Sequence, residues 1–412
     1  MDRIGFYCWA GPGTIRMLDL KYFNPRIDTN SLLSSYDLDY LLKLKDTFGI
    51  TDFWATYSWG FAEETEQEDS DFLLSRLDNF KRAGIKLHAY IQGTNLVYED
   101  YPGKDWFCRN DRNQLIAYHR GRKVTCVNNP GFQDFIIQKL EKMSKLGFDG
   151  IYMDNMQMGQ WGVITEYGEL PENFAGCNCN YCQEKFRQET GGEIPLEFKA
   201  NPELAREYLD FRCRCMTEFI EKAAEIVHKY NKEFGTNSFD PKFDTKYVYG
   251  VELTELDKYQ DYLLFENHSL PADAAHSNEY IDQLMSKFTK PVFVLSYHRE
   301  IGKDSQYPQI YFDKIYAEDK KLAFFSCIKG SEYCTDNEWH NLRLENYSQP
   351  DANVSLPKKV NIVQHKFLTV LLKAIPGKHL LIHRYYNSLY TLVMEHKSFR
   401  GGLNLIYSLV IR

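Results

Sequence analysis

The feature that most constrains the fold is a regular alternation of short apolar runs with longer amphipathic ones. The short runs are rich in β-branched and aromatic residues and predict strands at Arg3–Trp9, Thr51–Trp59, Ile85–Gln92, Phe148–Met153, Phe234–Ser238, Asp261–Glu266, Pro291–His298 and Leu322–Ile328. Helical patterns lie between them, at Tyr36–Phe48, Asp71–Ala83, Phe132–Leu146, Pro202–Tyr230, Ser277–Phe288 and Gln309–Lys320. Eight strands that alternate with helices predict an α/β fold of the (β/α)8 TIM-barrel type.

An open, doubly wound parallel sheet is the main alternative. No G-x-G-x-x-G run follows any predicted strand, which weakens the dinucleotide-binding version of that fold. Gly11-Pro12-Gly13, after the first strand, is too short for that role and predicts a tight turn instead. We expect residues 1–375 to form the barrel. Three β-like runs after Pro376-Gly377 predict a small antiparallel β-sheet over residues 376–412, packed on the barrel.

Composition excludes several classes of partner. Lys and Arg number 49 against 57 Asp and Glu, a net charge of −8, which argues against nucleic-acid binding. No apolar run approaches the ~20 residues of a membrane span, and the N-terminus reads as a strand rather than a secretory signal, so we expect a cytoplasmic protein with no membrane partner. Aromatic residues make up 15% of the chain, which fits either sugar stacking or a Tyr-rich core. A homo-oligomer is an open alternative to a monomer.

The strongest motif is the run GFDGIYMDN at residues 147–155. A helix ends in Gly147, an apolar strand follows, and the strand ends in Asp154-Asn155. Barrel enzymes place their catalytic groups at the carboxyl ends of the strands, so Asp154 is the first candidate catalytic residue. Asp149, at the other end of the same strand, is expected to serve the turn.

Hydrolysis of a glycosidic bond needs a second carboxyl group. Glu266 ends the sixth predicted strand, as Asp154 ends the fourth, so the two side chains are expected to converge above the barrel. Asp154 would then be the nucleophile or stabilise an oxocarbenium ion, and Glu266 would be the general acid/base, with its pKa raised by burial. Glu300 and Glu332 are the reserve candidates for the second carboxyl group.

Other residues at predicted strand ends and in the long loops are candidates for substrate binding. Trp9, Trp59 and Trp106 are candidates for stacking on sugar rings. His298 and Arg299 are candidates for binding hydroxyl groups or an anionic substituent. The remaining candidates are Gln92, Asn155, Asn237 and Glu332.

A C-x-C-x2-C cluster, Cys177, Cys179 and Cys182, lies in the long connection after the fourth strand. Thiolate ligation of a tetrahedral zinc ion explains this spacing, with Cys126 or Cys108 from the preceding long loop as the fourth ligand. Four sulfur ligands would make the ion structural. The alternative is a group of free cysteines in a reducing compartment. No organic cofactor is expected.

These motifs carry a resemblance to a known family. The run Thr125–Phe132, the strand that ends in Asp154-Asn155, and the cysteine cluster resemble the barrel of the family 42 glycoside hydrolases, over roughly residues 120–190. The resemblance implies glycosidase activity on a carbohydrate substrate, and a structural zinc ion whose first ligand is the cysteine that matches Cys126, which favours Cys126 over Cys108.

The sequence departs from that family at one important place. The family ends its fourth strand in Asp-Asn-Glu, with the Glu as acid/base, whereas here the third residue is Met156. The run at 147–155 looks more like barrels of the α-galactosidase type, in which an Asp nucleophile on strand four pairs with an acid/base on strand six. A non-catalytic carbohydrate-binding barrel, or a degenerate glycosidase, is the alternative that Met156 supports. A metal enzyme built on the cysteine cluster is a third.

Overall fold

Parallel strands close into a barrel around a buried aromatic core. The computed structural model describes residues 3–8, 11–22, 33–118, 121–159, 170–171, 174–238, 245–267, 286–297 and 322–326. The barrel strands are β1 (Gly5–Cys8), β2 (Asp52–Ser58), β3 (Lys86–Gln92), β6 (Gly150–Asp154), β7 (Glu233–Ser238), β8 (Tyr262–Asn267), β9 (Val292–Tyr297) and β10 (Leu322–Ser326). They pair in this order, and β10 pairs with β1. The prediction of a parallel barrel sheet is confirmed.

The helices follow the strands on the outside of the sheet. In the described residues they are α1 (Pro12–Tyr22), α2 (Leu38–Phe48), α3 (Glu63–Ser75), α4 (Leu77–Ala83), α5 (Pro130–Ser144), α6 (Asn180–Thr190), α7 (Pro202–His228), α8 (Thr245–Tyr249) and α9 (Leu253–Leu256). Most of the helix predicted at 277–288 and all of the helix predicted at 309–320 lie outside the described residues. The predicted C-terminal sheet lies outside them as well. None of the described helices has the combined length and apolar character that crossing a membrane requires.

Two local predictions were wrong. Gly11-Pro12-Gly13 is not a tight turn but the beginning of α1, because Pro12 fits the first turn of a helix, where its missing N–H costs nothing. The carboxylate of Asp69 accepts hydrogen bonds from the Gly13 and Thr14 amides, so the cap comes from another helix and leaves no local signal. The helix predicted at Asp71–Ala83 is two helices, α3 and α4, which meet at Arg76.

Large aromatic side chains fill the barrel where glycines leave space for them. A Cβ atom on Gly5 would lie 2.0 Å from the Trp54 ring, and one on Gly235 would lie 2.3 Å from the Tyr262 ring. The indole N–H of Trp54 donates to the Tyr262 hydroxyl at 3.0 Å. The rings of Trp54 and Phe293 meet edge to face, with their centroids 4.8 Å apart. This interior is a packed core rather than a channel.

A charged network closes the end of the barrel where the strands begin. Asp52 is buried and accepts hydrogen bonds from Arg3 (Nε–Oδ2 3.1 Å) and His88 (Nε2–Oδ1 2.8 Å), and Arg3 also contacts Glu233 at 2.7 Å. Asp52, His88 and Glu233 have potential ligand atoms within 4.8 Å of one another, close enough to hold a metal ion. Arg3 and Lys86 already form ion pairs with the Glu233 carboxylate of this cluster. We therefore interpret the cluster as an ion-pair network.

The two longest connections contain structure of their own. The connection after β3 folds into an antiparallel pair, β4 (Asn95–Val97) and β5 (Arg122–Val124). The connection after β6 contains α6, which begins at Asn180 within the cysteine cluster. Both lie at the carboxyl ends of the barrel strands, which we call the barrel mouth. The sequence predicted these connections as long loops. The strands β4 and β5 have only three residues each, too few to give a periodic signal, and α6 buries only Cys182 and Phe186, so its apolar pattern is sparse.

We predict that the network around Asp52 contributes stability that is lost in acid. Burial alone would raise the pKa of Asp52, but the hydrogen bonds from His88 and Arg3 outweigh that effect and hold its pKa well below the usual value. The contribution is therefore fully present above the unfolded pKa of about 4 and declines as the pH falls below it. Asp52→Asn should remove about 3–5 kcal/mol from the free energy of unfolding at neutral pH, measured by urea denaturation.

The matched control is Asp78→Asn, because Asp78 forms an exposed pair with Arg82 at 3.9 Å. That change should cost less than about 1 kcal/mol. The prediction would be contradicted if the two substitutions lowered the free energy of unfolding equally. It would also be contradicted if Asp52→Asn were as much less stable than the parent protein in acid as it is at neutral pH.

Candidate functional site

Asp154 is the last residue of β6 and lies at the barrel mouth. It is opposite Gln92 of β3 in the sheet register, and its exposed fraction is 5%. One carboxylate oxygen accepts a hydrogen bond from the Asn155 side-chain amide at 2.7 Å, and the other accepts one from the side-chain amide of Asn237 on β7. Donors that point at both oxygens of a carboxylate favour its charged form. The structure thus brings together Asp154, Asn155 and Asn237.

Tyr90 and Gln92 on β3 extend this group. The Tyr90 hydroxyl contacts both the Asp154 carboxylate and the side-chain oxygen of Gln92. Burial raises the pKa of Tyr90 well above its usual value, and the charge of Asp154 raises it further, so the phenol stays neutral and acts as a donor. The amide nitrogen of Gln92 donates to Asn95 at 2.9 Å. Tyr90 was not predicted as a site residue because nothing in the sequence separates it from core tyrosines.

The orientation of the Asn155 amide is fixed from the opposite side. The Tyr118 hydroxyl donates to Asn155 Oδ1 at 2.5 Å, which turns the amide nitrogen of Asn155 toward Asp154. The Thr94 hydroxyl donates to the Asn155 carbonyl at 2.6 Å. Asn155 has a φ of +55°, a left-handed conformation that asparagine tolerates better than most residues. Tyr118 therefore acts on Asp154 through Asn155.

A buried arginine connects this tyrosine to Trp59. The guanidinium carbon of Arg122 lies 3.9 Å from the Trp59 ring centroid and 4.8 Å from that of Tyr118. Phe61 also stacks on Trp59, with the ring centroids 5.0 Å apart, and Trp59 is only 3% exposed. Protein groups thus occupy the positions on which a sugar would stack. Tyr118 and Arg122 were missed because they lie in a connection whose pairing the sequence does not reveal.

The structure describes only some of the other predicted site residues. Trp106 packs on α5 against Phe135, with the ring centroids 4.9 Å apart, and is 8% exposed. Glu266 lies in β8 opposite Leu295 of β9, and only its backbone is described. The candidates outside the described residues are Trp9, His298, Arg299, Glu300 and Glu332.

Met156, which replaces a glutamate of the resembled family, is part of the core. It is fully buried, and a Cβ atom on Gly93 would lie 2.3 Å from its sulfur. The position therefore provides no carboxyl group and little space for one.

The four cysteines of the predicted metal site are close together in space. The sulfur atoms of Cys126, Cys177, Cys179 and Cys182 all lie within 4.8 Å of one another, and none of the four is in a disulfide. The sulfur of Cys126 is 3.4 Å from that of Cys182 and 3.5 Å from that of Cys179. Zinc–sulfur bonds of about 2.3 Å in a tetrahedron give sulfur–sulfur distances of about 3.8 Å, so the donor set fits zinc.

Cys108 lies beside this cluster but is not a member of it. Its thiol donates to the Thr125 carbonyl at 3.3 Å and also interacts with Cys126 and Cys177. Burial raises the pKa of the Cys108 thiol, and the neighbouring cysteines raise it further. Burial acts in the same direction on Cys177, but hydrogen bonds from the surrounding thiols hold its pKa well below the usual value. The cluster can therefore supply a thiolate to a metal ion.

Comparison with known proteins supports the fold. No protein-family model matches the sequence, and no curated protein matches it either. Solved structures with a similar fold include a β-galactosidase from the psychrophilic Marinomonas ef1, at 10% identity and a TM-score of 0.56 over 92% of this chain and 61% of that one. A GH42 β-galactosidase from G. stearothermophilus is 14% identical, with a TM-score of 0.55 over 79% of this chain and 51% of that one.

The catalytic domain of a β-amylase from Paenibacillus polymyxa is similar over 86% of this chain and 95% of its own, at 10% identity and a TM-score of 0.51. At such low identities these similarities show a shared barrel fold alone. The chain spans about half to three fifths of the length of the β-galactosidases that it matches.

We predict that Tyr118 and Asp154 are energetically coupled through Asn155. Asn155 connects them, so the free-energy changes of Tyr118→Phe and Asp154→Asn should not add. In a double-mutant cycle on the free energy of unfolding, we expect a coupling of about 0.5–2 kcal/mol. The control cycle pairs Asp154→Asn with Tyr98→Phe, because Tyr98 is 41% exposed, and should be additive. Additivity in both cycles would contradict the relay through Asn155.

Proposed function

We propose that this protein is a glycoside hydrolase built on a (β/α)8 barrel, with the barrel over residues 1–375 and a small sheet over residues 376–412. The observation that supports it most directly is the state of Asp154. This carboxylate ends a barrel strand, is 5% exposed, and receives donors on both oxygens from Asn155 and Asn237. Such an environment suits a group that must be charged in order to attack or stabilise a cationic centre.

In this proposal Asp154 is the nucleophile, or stabilises the oxocarbenium-like transition state, and Glu266 is the general acid/base. A carboxylate supplied with amide donors keeps its charge, so the proton of the leaving group has to come from a different residue. Carboxyl groups about 5–5.5 Å apart would give retention of configuration, and a separation of about 6.5–9.5 Å would give inversion.

The substrate in this proposal is a carbohydrate, processed in the cytoplasm without an organic cofactor, a nucleic acid or a membrane partner. Gln92 and Asn237 flank Asp154 on the neighbouring strands β3 and β7, which supports them as ligands of substrate hydroxyl groups. The other proposed substrate contacts are Trp9, Trp59, Trp106, Asn155, His298, Arg299 and Glu332. Because Arg122 and Phe61 cover its ring, Trp59 would present an edge to the sugar.

We further propose that Cys126, Cys177, Cys179 and Cys182 bind one structural zinc ion. When bound, zinc would hold four thiolates in a closed tetrahedron and would take no part in hydrolysis. Cys126 precedes α5 and the other three precede or begin α6, so the ion would join the two long connections at the barrel mouth. Asn128 supports this geometry, since its amide contacts the Cys182 sulfur at 3.4 Å.

A non-catalytic carbohydrate-binding barrel is the second candidate, and the buried Met156 favours it. A protein of this class would bind sugars at the mouth but would hydrolyse no glycoside. Hydrolysis by the parent protein separates the two candidates. The substitution of Asp154 by Asn then tests the role of the charge, because it keeps the shape of the side chain and the acceptor for one of the two amide donors.

Asp154→Asn and Glu266→Gln should each lower kcat on a panel of aryl glycosides by about 100-fold or more. The loss in Glu266→Gln should shrink with acidic phenol leaving groups, which need little protonation, whereas the loss in Asp154→Asn should not. Circular dichroism and thermal unfolding serve as controls for folding. Full activity in both variants would remove the catalytic assignment, and no hydrolysis by the parent protein would favour the binding candidate.

The zinc proposal is tested by metal analysis and unfolding. We expect one zinc ion per chain by mass spectrometry of the purified protein, and a lower Tm after chelation, because metal affinity adds to the stability of the folded state. Cys179→Ser should lose the ion. Cys213→Ser is the matched control, since Cys213 is a buried cysteine on α7 outside the cluster, and it should keep the ion. Zinc retained by Cys179→Ser would contradict this ligand set.

A further inference from the structure

Thr94, in the turn between β3 and β4, contacts separate parts of the chain through hydrogen bonds. Its hydroxyl donates to the Asn155 carbonyl at 2.6 Å and accepts from the backbone amide of Gln157 at 2.9 Å. Its own carbonyl accepts from the Thr125 amide at 2.8 Å, and the side chain is fully buried. One hydroxyl thus serves as donor and acceptor at once, which an apolar side chain of the same shape cannot do.

The preceding residue, Gly93, completes this attachment. Its amide donates to the Asp154 carbonyl at 2.8 Å. A Cβ atom on Gly93 would lie 2.7 Å from that carbonyl oxygen and 2.3 Å from the Met156 sulfur, so the close approach of the two segments requires a glycine here. Residues 93 and 94 therefore hold the backbone at residues 154, 155 and 157, where β6 ends and the next connection begins.

The segment held in this way includes a residue in an unfavourable backbone conformation. Asn155 has a φ of +55°, and residues other than glycine keep such a conformation only where the surrounding structure holds them. Tyr118 holds the side chain of Asn155, and Thr94 holds its carbonyl. In this conformation the Asn155 amide donates to the Asp154 carboxylate at 2.7 Å. A change in the Asn155 backbone would move this donor away from the carboxylate.

We propose that Thr94 is a positioning residue for Asp154, and that its hydroxyl acts by holding Asn155 in the left-handed conformation. The positioning itself can be measured without turnover. Only its consequence for hydrolysis rests on the proposed function, in which Asp154 has to be charged in order to attack or stabilise a cationic centre.

Thr94→Val tests the proposal, because valine keeps the shape of threonine and removes the hydroxyl. When the Asn155 amide moves away, the charged carboxylate loses a donor, so Asp154 should take up its proton at a higher pH. We expect the midpoint of its titration to rise by about 0.5–1.5 pH units. The measurement is carbon NMR of protein with isotope-labelled aspartate carboxyl groups, in which the Asp154 signal is identified by its absence from Asp154→Asn.

Thr94→Ser is the conservative variant, because serine keeps the hydroxyl. Its titration midpoint should stay within about 0.3 pH units of the parent protein. Thr236→Val is the matched control for the loss of a hydroxyl. Thr236 is also a fully buried threonine, on β7, and its hydroxyl has no partner among the described residues. This change should leave the midpoint of Asp154 where it is.

Asn155→Gly tests whether Thr94 acts through Asn155. Glycine permits the left-handed backbone but has no amide side chain to donate. The substitution should raise the midpoint of Asp154 by itself. In the double variant, Thr94→Val should add nothing further, because the donor that it displaces is already absent.

The groups that the structure places around Asp154 keep their charge during this titration. Tyr90 of β3 contacts the carboxylate, and Tyr118 and Arg122, from the connection after β3, interact with Tyr90. Phenol and guanidinium groups do not change charge between about pH 2 and pH 8. A shift of the midpoint would therefore report the loss of a hydrogen bond and not the titration of a neighbour.

The proposal is overturned if Asp154 titrates at the same pH in folded Thr94→Val as in the parent protein, or if Thr94→Ser titrates like Thr94→Val. Circular dichroism checks folding. If Thr94→Val does not fold, Thr94→Ala, which removes the hydroxyl with a smaller side chain, decides by the same criterion. On aryl glycosides, Thr94→Val should lower kcat by about tenfold or more and move the acid limb of the pH profile to higher pH. A shifted midpoint in a protein that hydrolyses no glycoside would support the positioning role and remove the proposed function.

Discussion

The hydrogen-bonded register of the parallel barrel is the constraint on which the rest of this structure depends. Because neighbouring parallel strands lie about 4.8 Å apart and end on the same side, the last side chains of adjacent strands are forced into contact. Gln92 and Asp154 are direct register partners, and Asn237 follows the residue that pairs with Met153. No loop has to arrange this group. The sheet that makes the protein stable also sets the distances at the candidate site.

The two ends of the barrel use charge in opposite ways. At the end where the strands begin, Asp52 is matched by Arg3 and His88, and its charge is stabilised within the protein. At the mouth, the carboxylate of Asp154 accepts hydrogen bonds from two neutral amides, those of Asn155 and Asn237, and donors of this kind favour the charged form of a carboxylate. An ion pair suits a structural role, whereas a charged group held by neutral dipoles remains able to interact with a developing positive charge.

The region next to Asp154 is assembled from distant parts of the chain. Tyr118 and Arg122 reach it from the pair β4–β5, and the four cysteines link that connection to α6. Rigid surroundings are needed because an amide has to present its nitrogen, and not its oxygen, to the carboxylate.

The sequence was sufficient to predict the barrel strands to within two residues, since periodicity and flanking glycines are local properties. It also identified Asp154 at a strand end and the cysteines that cluster in space, because strand ends and ligand spacing can be recognised along the chain. The helix at Pro12 was missed because its cap, Asp69, comes from another helix.

What only the tertiary structure decided concerns contacts between distant residues. The covering of Trp59 by Arg122, the hydrogen bond from Tyr118 to Asn155, and the side-chain amide of Gln157, which has no partner among the described residues, depend on where long connections fold back. The hydrogen bond from Asn237 to Asp154 depends on the pairing of β6 with β7. Local patterns record whether a side chain favours a strand or a helix, and whether it suits the interior. They do not record which distant group will be beside it, because that is set by the packing of the whole barrel.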